Sequence, residues 1–377
     1  MRTGIARGRT MKFNVSRDAF LKPLQVVSGA VERRHTLPIL SNLLLQIEGD
    51  RLRLTGTDLE VELVSSVAVN AAGGDGAVTV PAKKLVDIVR SLPEDSNIEF
   101  SAEEDKAFVR SGRSKFKLST LPADDFPNID DWTSDINFVS DQVVLKRLME
   151  KTHFSMANQD VRYYLNGMLF ETDNGMLRSV ATDGHRLAMS SCAVEQPGLA
   201  QKQVIVPRKG VVELLRLLGE EEAEVSVAIG NNHIRIESET IVFTSKLVDG
   251  RFPDYRRVLP SGGDKIVVAD RDLLRQAFGR ASILSNEKFR GVRLNLASGE
   301  LCITATNPEQ EQAEEVIEVD YQGEELEIGF NVSYLLDVLN NVDDNEIRFT
   351  LADSNSSALI EPNHDDSCCY VVMPMRL

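Results

Sequence analysis

One order of short motifs occurs three times in this chain, and this triplication limits the possible folds more than any other feature. Thr57-Asp58, Thr182-Asp183 and Thr306-Asn307 each follow a short apolar run, at intervals of about 125 residues. A second marker opens a helix-like stretch in each unit at nearly the same spacing: Pro81-Ala82-Lys83-Lys84, Pro207-Arg208-Lys209 and Asn331-Val332-Ser333-Tyr334. A third marker lies near the end of each unit: Thr120-Leu121-Pro122, Lys246-Leu247-Val248 and Val372-Met373-Pro374. The period exceeds the roughly 20–50 residues of solenoid repeats and has the size of a domain. The sequence therefore predicts three equivalent domains.

The predicted domains cover residues 11–135, 136–264 and 265–377. The second boundary rests on Ser261-Gly262-Gly263-Asp264, which has the composition of a linker. Residues 1–10 hold three arginines and lack the apolar region of a secretory signal. We expect them to form a disordered N-terminal extension, and the choice between Met1 and Met11 as the natural start stays open.

Each predicted domain contains two modules in which a strand-like run leads into a helix-like stretch. The six helix-like windows are residues 17–28, 81–92, 141–155, 207–218, 270–284 and 331–342. Alternating runs such as Leu52-Arg53-Leu54-Thr55 and Ile234-Arg235-Ile236-Glu237 follow the helices, and this period of two is typical of half-buried antiparallel strands. The sequence therefore predicts an α+β fold, in which each domain packs two helices on antiparallel sheets.

Composition excludes several classes of protein. Apolar residues make up 42% of the 377, but no run is long enough for a membrane-spanning helix. The cysteines, Cys192, Cys302, Cys368 and Cys369, form no CxxC pair, so we expect reduced thiols and a cytoplasmic location. The histidines have no spacing typical of a zinc site, and no glycine-rich phosphate loop occurs. The sequence therefore predicts neither a metal nor a cofactor.

The distribution of charge is more informative than its sum. A net charge of −16 argues against a nucleic-acid partner, because domains that bind nucleic acids are usually basic. However, the six helix windows together carry +6 and the rest of the chain carries −22. If the helices share one surface, that surface attracts phosphate groups without regard to base sequence. The alternative is that these charges are simply solvated faces of surface helices.

Asp183 and His185 invite a catalytic interpretation. Two residues apart on a predicted strand, they would share one face, where an aspartate can orient a histidine. No nucleophile motif such as GxSxG accompanies them, and no histidine follows Thr57-Asp58 in the first unit. We therefore interpret the motif as an element of the fold and expect no catalytic residues.

Several long runs resemble one known family. They are Phe13–Leu24, Thr36–Asn42, Leu54–Asp58, Gln159–Gly167, Ala181–Leu187, Phe243–Tyr255, Leu284–Gly291 and Tyr370–Leu377. Together they resemble the bacterial sliding clamp, the beta subunit of the replicative DNA polymerase III, over residues 11–377. The resemblance implies a head-to-tail homodimer closed into a ring around duplex DNA, with helices lining the hole. It also implies a non-catalytic processivity factor.

The implied partners are duplex DNA without sequence preference, the catalytic subunit of DNA polymerase III, an ATP-driven clamp loader, and other polymerases and repair proteins. The proteins would bind through short peptide motifs to a pocket between the second and third domains. By position, the resemblance assigns to this pocket Leu165, Thr182, Gly184, His185, Arg186, Leu187, Pro253, Arg257, Val258, Asn331, Tyr334, Ser357, Val371, Val372, Met373, Pro374, Met375, Arg376 and Leu377. The alternative is that Val371–Met375 is merely a last core strand.

The resemblance also implies DNA contacts and a dimer interface. The DNA contacts would be Arg34, Gln159, Tyr163 and Tyr164, helped by Lys83, Lys84, Arg208 and Lys209. If the two tyrosines lie on a strand, alternation directs one of them into the core. The interface would join a basic hairpin and an apolar centre to an acidic stretch, through Arg113, Lys115, Phe116, Ile283, Leu284, Glu309, Glu311, Glu314 and Glu315. Opposite charges at two ends of a chain favour head-to-tail closure, although each charge run could instead be a solvated face.

Two rival functions stay open at this point. An acidic adaptor that binds proteins alone would account for the net charge of −16. A hydrolase that uses His185 would account for the Asp183-His185 pair. Retention on circular DNA that is lost when the circle is cut would distinguish a clamp from both.

Overall fold

The computed structural model describes residues 11–32, 37–71, 75–103, 105–129, 132–194, 196 and 198–376. Two compact units make up the chain: Met1–Gln142 with Val212–Leu247, and Val143–Val211 with Val248–Leu377. The expectation of a disordered extension at residues 1–10 lies outside the described residues.

Within the described residues, six α-helices lie in the six predicted windows. They are α1 (Arg17–Ser28), α2 (Ala82–Ser91), α3 (Gln142–Glu150), α4 (Arg208–Leu217), α5 (Arg271–Ala281) and α6 (Val332–Asn341). Helices α3 and α5 end earlier than predicted and continue into the 3₁₀ turns His153–Ser155 and Ser282–Leu284. The hydroxyl groups of Thr152 and Ser282 donate to carbonyl oxygens of the preceding helical turn, at 3.2 Å from Leu148 and 2.7 Å from Gly279. Such bonds compete with regular helix at these positions.

The starts of the helices repeat the same contacts. Side chains of Ser16, Asp270 and Asn331 cap α1, α5 and α6 by accepting backbone N–H bonds, which satisfies donors that a helix start leaves unpaired. The backbone N–H of the first residue of α1, α3 and α5 donates to an equivalent carbonyl in each repeat: Ser96, Ala223 and Asn345, at 2.8 to 2.9 Å. The triplication is therefore present in hydrogen bonding as well as in sequence.

The first unit contains two antiparallel sheets. Its strands are β1 (Met11–Ser16), β2 (Asn42–Glu48), β3 (Arg51–Thr57), β4 (Val61–Ala68), β5 (Asn70–Ala71), β6 (Gly76–Pro81), β7 (Asn97–Glu103), β8 (Lys106–Ser111), β9 (Ser114–Ser119) and β10 (Ser134–Asp141), with β15 (Glu224–Gly230), β16 (His233–Glu237) and β17 (Ile241–Lys246). One sheet has the order β5-β1-β7-β8-β9, and the other has the order β10-β15-β16-β17-β4-β3-β2-β6. Phe13 lies between Phe100, stacked at 4.8 Å, and Phe20, edge-on at 5.9 Å, so an aromatic core ties α1 to its sheet.

The second unit has the same organisation. Its strands are β11 (Gly167–Asp173), β12 (Met176–Thr182), β13 (Arg186–Ala193), β14 (Lys202–Pro207), β18 (Lys265–Asp270), β19 (Gly291–Ala297), β20 (Glu300–Thr306), β21 (Gln312–Glu318), β22 (Leu326–Asn331), β23 (Glu346–Leu351), β24 (Ala358–Pro362) and β25 (Cys368–Val372). The sheet orders are β14-β11-β12-β13-β25-β24-β23-β18 and β21-β20-β19-β22. Helices α5 and α6 pack on each other over a core that includes Phe278, Phe330 and Tyr370.

Each eight-stranded sheet joins strands from two repeats. In the first unit β17 pairs with β4, with Phe243 opposite Leu63. In the second unit β13 pairs with β25, with Ala188 opposite Tyr370. Strands of the middle repeat therefore belong to both units.

The Thr-Asp motif that marks the repeats is a tight turn between two strands. Thr57 accepts the N–H of Leu59 at 3.1 Å and donates to the carbonyl of Val61 at 2.9 Å, and Thr182 makes the same pair of bonds with Gly184 and Arg186. In the third repeat the side chain of Asn307 accepts the N–H of Glu311 at 2.8 Å. The motif recurs because each repeat needs its turn closed by a side chain.

This turn corrects the prediction that Asp183 and His185 lie on one strand. Both residues lie between β12 and β13. The Asp183 carboxylate accepts the backbone N–H groups of His185 and Arg186 at 2.9 and 3.1 Å, and it also pairs with the Arg186 side chain. Asp183 therefore orients the backbone of the turn.

Thr57→Val should lower the thermal midpoint of unfolding. The change leaves the N–H of Leu59 and the carbonyl of Val61 without their side-chain partner in a buried turn, at a cost of about 1–3 kcal/mol. Differential scanning calorimetry measures the effect. Thr306→Val is the matched control, because Thr306 is exposed at the equivalent position; equal losses in both variants would contradict this account.

Candidate functional site

A cleft of about 180 Å³ lies in the second unit. Four segments meet there: the 3₁₀ turn Tyr163–Leu165 before β11, the β12–β13 turn, the segment that follows Val248, and the end of β25 with Met373. The side chains and backbone that line it are those of Arg162, Tyr164, Leu165, Thr182, Gly184, Arg186, Pro253, Val258, Val371 and Met373. Most of these residues belong to the predicted pocket, so the structure brings together residues more than 200 positions apart in sequence.

Strand alternation divides the predicted residues at the end of the chain. Val371 is buried in the cluster under the cleft with Leu165 and Leu187, whereas Val372 is buried in the core cluster on the other face. Met373 is 40% exposed and lines the cleft. Strand β25 is thus both an interior strand and one wall of the cleft. The predicted pocket residue Val372 packs in the core and does not line the cleft.

Backbone bonds hold the segment that follows β25. The N–H of Met373 donates to the carbonyl of His185 at 2.9 Å, and the N–H of Met375 donates to the carbonyl of Gly329 at 2.9 Å. Pro374 and Met375 are half-buried and Arg376 is exposed. The predicted pocket residue Leu377 lies outside the described residues.

Arg186 makes several contacts inside the chain. Its guanidinium pairs with Asp183 at 3.1 Å and with Asp337 of α6, and it donates to the carbonyl of Phe154 at 2.7 Å. It also lies over the ring of Tyr334 at 4.5 Å. Arg186 therefore braces the wall of the cleft, and its hydrogen-bonding capacity is largely used within the protein.

The other predicted pocket residues surround the cleft without lining it. Leu187 is buried beneath it, and Tyr334 lies behind Arg186. Asn331 caps α6, and Ser357 is half-buried just before β24. His185 and Arg257 are exposed, and Arg257 pairs with Asp254 at 3.1 Å.

Tyr163 and Tyr164 lie in a 3₁₀ turn and not on a strand, so the argument from strand alternation does not apply to them. Asp160 accepts the N–H of Arg162 at 2.8 Å, and the side chain of Asn166 accepts the N–H of Asp160 at 2.9 Å. Such local bonds compete with strand formation. Tyr163 is 57% exposed, whereas Tyr164 lines the cleft.

Sequence reasoning missed Arg162 as a cleft residue. It pairs with Asp160 at 2.8 Å and donates to the carbonyl of Asp183 at 3.2 Å. Gly184 has φ +89°, and a Cβ atom there would lie 2.9 Å from the Arg162 guanidinium. The positive φ favours glycine at position 184, and the missing Cβ atom leaves room for the Arg162 guanidinium. The available signal was the position of Arg162 within the run Gln159–Gly167.

The predicted DNA contacts are not equivalent in the structure. Lys83 and Lys84 are exposed on α2, and Gln159 is exposed with φ +57°. Arg208 is half-buried and donates to the carbonyl of Met156 at 3.2 Å, and Lys209 is half-buried on α4. Arg34 lies outside the described residues.

The predicted dimer interface falls on two sheet edges. Strand β9 is an edge of its sheet; Arg113, just before it, and Lys115 are exposed, and Phe116 is half-buried. Strand β21 is also an edge strand. Around it, Ile283 is 75% exposed, Leu284 is half-buried, and Glu309, Glu311 and Glu314 are exposed. Glu315 instead pairs with Arg280 of α5 at 2.6 Å.

Among the residues that the structure describes, no group of three or more His, Cys, Asp or Glu side chains could hold a metal ion. No helix in the same residues is long and apolar enough to cross a membrane.

Arg162→Ala should raise the pKa of Asp160. Hydrogen bonds from the Arg162 side chain and backbone N–H lower that pKa from 3.8 to about 2. The carboxylate therefore keeps its pairing with Arg162 above pH 3.8 and loses it as the pH falls through about 2. In the variant, a carboxyl titration followed by NMR should move toward 3.8. Arg257→Ala, a change outside the Asp160 contacts, is the control; an unmoved Asp160 titration in Arg162→Ala would contradict this assignment.

Each of the three repeats matches a domain of one known family. Three family models match in succession: the N-terminal domain of the DNA polymerase III beta subunit at residues 11–130, its central domain at 140–254 and its C-terminal domain at 256–376. The beta sliding clamps of Pseudomonas aeruginosa and Escherichia coli K12 are each 59% identical over 367 residues, which cover 97% of this chain and all of the relative.

Solved structures agree with these matches. The DnaN sliding clamp of Pseudomonas aeruginosa bound to griselimycin has a TM-score of 0.95 at 59% identity, covering 98% of this chain and all of that chain. The Caulobacter crescentus beta sliding clamp, with polyethylene glycol at a proposed beta-motif tethering region, has a TM-score of 0.93 at 40% identity, with 98% and full coverage. This chain belongs to the DNA polymerase III beta subunit family, the beta sliding clamps, and is a non-catalytic accessory subunit of that polymerase.

Proposed function

We propose that this chain is a DNA polymerase processivity factor that works as a head-to-tail homodimeric ring around duplex DNA. Two chains closed end to end would retain DNA topologically, so tight contacts with bases are unnecessary. The family assignment supports a clamp function. Within this chain, the single observation that carries ring closure is the pair of open sheet edges with opposite charge.

The chemistry of the two edges is complementary. Strand β9 offers unpaired backbone groups beside Lys115 and Lys117, and β21 offers them beside Glu314 and Glu318. Open edges invite pairing with another strand, and opposite charge sets which edges meet. Ile283, at 75% exposed, would lose its contact with water in such a pairing. The pairing of β9 with a partner's β21 would therefore build a continuous sheet across each interface.

The helices supply a surface for DNA. Lys83 and Lys84 of α2 are exposed and would contact phosphates, with an affinity that falls as salt rises. Exposed Gln159 and Tyr163 would contribute at the loop before β11, with Arg34. Because such contacts carry no base information, the ring can slide.

We further propose that the cleft takes short peptide motifs from the catalytic subunit of DNA polymerase III, from an ATP-driven clamp loader, and from other polymerases and repair proteins. Leu165, Val371 and Met373 offer an apolar surface, and the flexible methionine adapts to different side chains.

The proposal includes domain boundaries at 11–135, 136–264 and 265–377, and a cytoplasmic location beside the replicative polymerase.

Purified protein loaded on nicked circular DNA should stay bound through gel filtration and leave once the circle is linearised. The Ile283→Ala/Leu284→Ala variant should give monomers in light scattering and lose this retention, because the apolar centre of the interface is removed. Ile266→Ala, at another exposed apolar position on β18, is the control. An intact dimer for the double variant would contradict the interface. Equal retention on circular and linear DNA would favour an adaptor, and substrate turnover would favour a hydrolase.

If griselimycin, to which the related Pseudomonas aeruginosa clamp is bound, occupies this cleft, deletion of residues 373–377 should abolish its binding and that of the polymerase catalytic subunit while the dimer stays closed. Gly184→Ala should weaken binding of both, because a Cβ atom at φ +89° would strain the backbone and displace Arg162. Isothermal titration calorimetry and light scattering provide the measurements.

Gly262→Ala is the matched control for Gly184→Ala. Gly262 also has positive φ, +82°, but a Cβ atom there would meet open space. If deletion of residues 373–377 and Gly184→Ala both left binding unchanged, the assignment of the cleft as the peptide site would be wrong.

A further inference from the structure

A carboxylate with no exposed surface lies in the second unit, near the cleft but outside its lining. The side chain of Glu171, on β11, is 0% exposed. Its two neighbours across the sheet are polar: Gln203 on β14 and Arg178 on β12 are its register partners. The amide of Gln203 donates to Glu171 at 3.3 Å, and the Arg178 guanidinium lies 3.8 Å away. A buried charge of this kind is costly unless its partners are well placed.

The stronger partners of Glu171 come from a different segment. The hydroxyl of Tyr255 donates to Oε2 of Glu171 at 2.8 Å, and Arg256 pairs with Oε1. The Arg256 guanidinium lies over the Tyr255 ring at 4.7 Å. Burial raises the pKa of Glu171, but the hydrogen bonds from Arg256 and Tyr255 outweigh it and lower the pKa below its usual range. The carboxylate therefore stays ionised at neutral pH and continues to hold both partners.

These two partners lie inside the segment that forms one wall of the cleft. Pro253 and Val258 line the cleft on either side of them. Residues 249–258 are all described and contain no strand; the 3₁₀ turn Tyr255–Arg257 is the regular element among them. Its backbone joins the sheet through the bond from Val248 to the carbonyl of Ile205 at 2.8 Å, five residues before Pro253.

Side chains therefore fix the position of this wall. Phe252 and Tyr255 are buried in the cluster that also holds Leu165 and Val371. The apolar contacts of that cluster can set the depth of the wall, but such contacts have no preferred direction. The Glu171 carboxylate fixes the orientation of the wall, because its two oxygens accept hydrogen bonds from the adjacent residues Tyr255 and Arg256.

We propose that Glu171 is a positioning residue for the peptide cleft, and that its buried carboxylate fixes the wall Pro253–Val258 through Tyr255 and Arg256. The proposal rests on the proposed function of the cleft and adds a residue that never contacts the ligand. A binding site whose supporting contacts are loosened loses affinity although its lining is unchanged.

Glu171→Gln tests this in the full-length dimer with griselimycin as the probe. The amide keeps the size of the side chain but removes the charge that holds Arg256. We expect affinity to fall by about three- to tenfold, mainly through faster dissociation in surface plasmon resonance. Hydrogen exchange should rise in residues 252–258. Tyr255→Phe, which removes one hydroxyl group, should act in the same direction if Glu171→Gln fails to fold.

Glu361→Gln is the matched control. Glu361 lies on β24 of the same eight-stranded sheet and accepts from Arg348 at 3.1 Å. A merely structural role would give equal effects on binding at both positions. If Glu171→Gln and Tyr255→Phe bind griselimycin as tightly as Glu361→Gln while Gly184→Ala weakens binding, the role of Glu171 is wrong and the cleft assignment stands. If neither Gly184→Ala nor deletion of residues 373–377 affects binding, the assignment of the cleft as the peptide site and the role of Glu171 are both wrong.

Discussion

Pairing of strands from different repeats is the constraint on which the rest of the structure depends. Strand β25 lies between β13 and β24, so the last strand of the third repeat is interior to a sheet shared with the second repeat. The ladder of backbone hydrogen bonds fixes its register, and a slip of one residue would exchange Val371 and Val372 between the two faces. The cleft exists because this register carries Met373 to the His185 turn and presents Val371 to the cluster beneath it. The equivalent pairing of β17 with β4 gives the first unit its continuous sheet.

Cations have two different roles in the helices. Several reach the carbonyl ends of other helices: Arg17 reaches Val89 and Arg90, Arg216 reaches Val26, Lys151 reaches Asn341, and Arg271 reaches Val342. Carbonyl ends of helices carry partial negative charge and leave acceptors unsatisfied. Part of the positive charge counted in the helix windows therefore joins helices to one another, whereas Lys83 and Lys84 stay at the surface. The proposed attraction for DNA rests on the second group.

Local signals explain where sequence reasoning succeeded. The six helices were predicted because each helix-like window directly follows a short strand-like run, and the structure adds side-chain caps at Ser16, Asp270 and Asn331. The same reasoning failed for Asp183 and His185, which were assigned to one strand. The Asp183 carboxylate accepts the backbone N–H groups of His185 and Arg186 and turns the chain there. Glu171 carried no signal at all, because its partners Tyr255 and Arg256 are more than 80 residues away.

The sequence by itself determined the threefold repeat, the two helices and the antiparallel strands of each repeat, and the family. These follow from motif spacing and from periodicity over a few residues. The tertiary structure decided which strands of different repeats are neighbours, which side chains line the cleft, and which charges are engaged within the chain. The physical reason is separation along the chain: Leu63 and Phe243, or Ala188 and Tyr370, are register partners about 180 residues apart. No pattern within either strand encodes its partner, because backbone hydrogen bonds are the same for every residue other than proline.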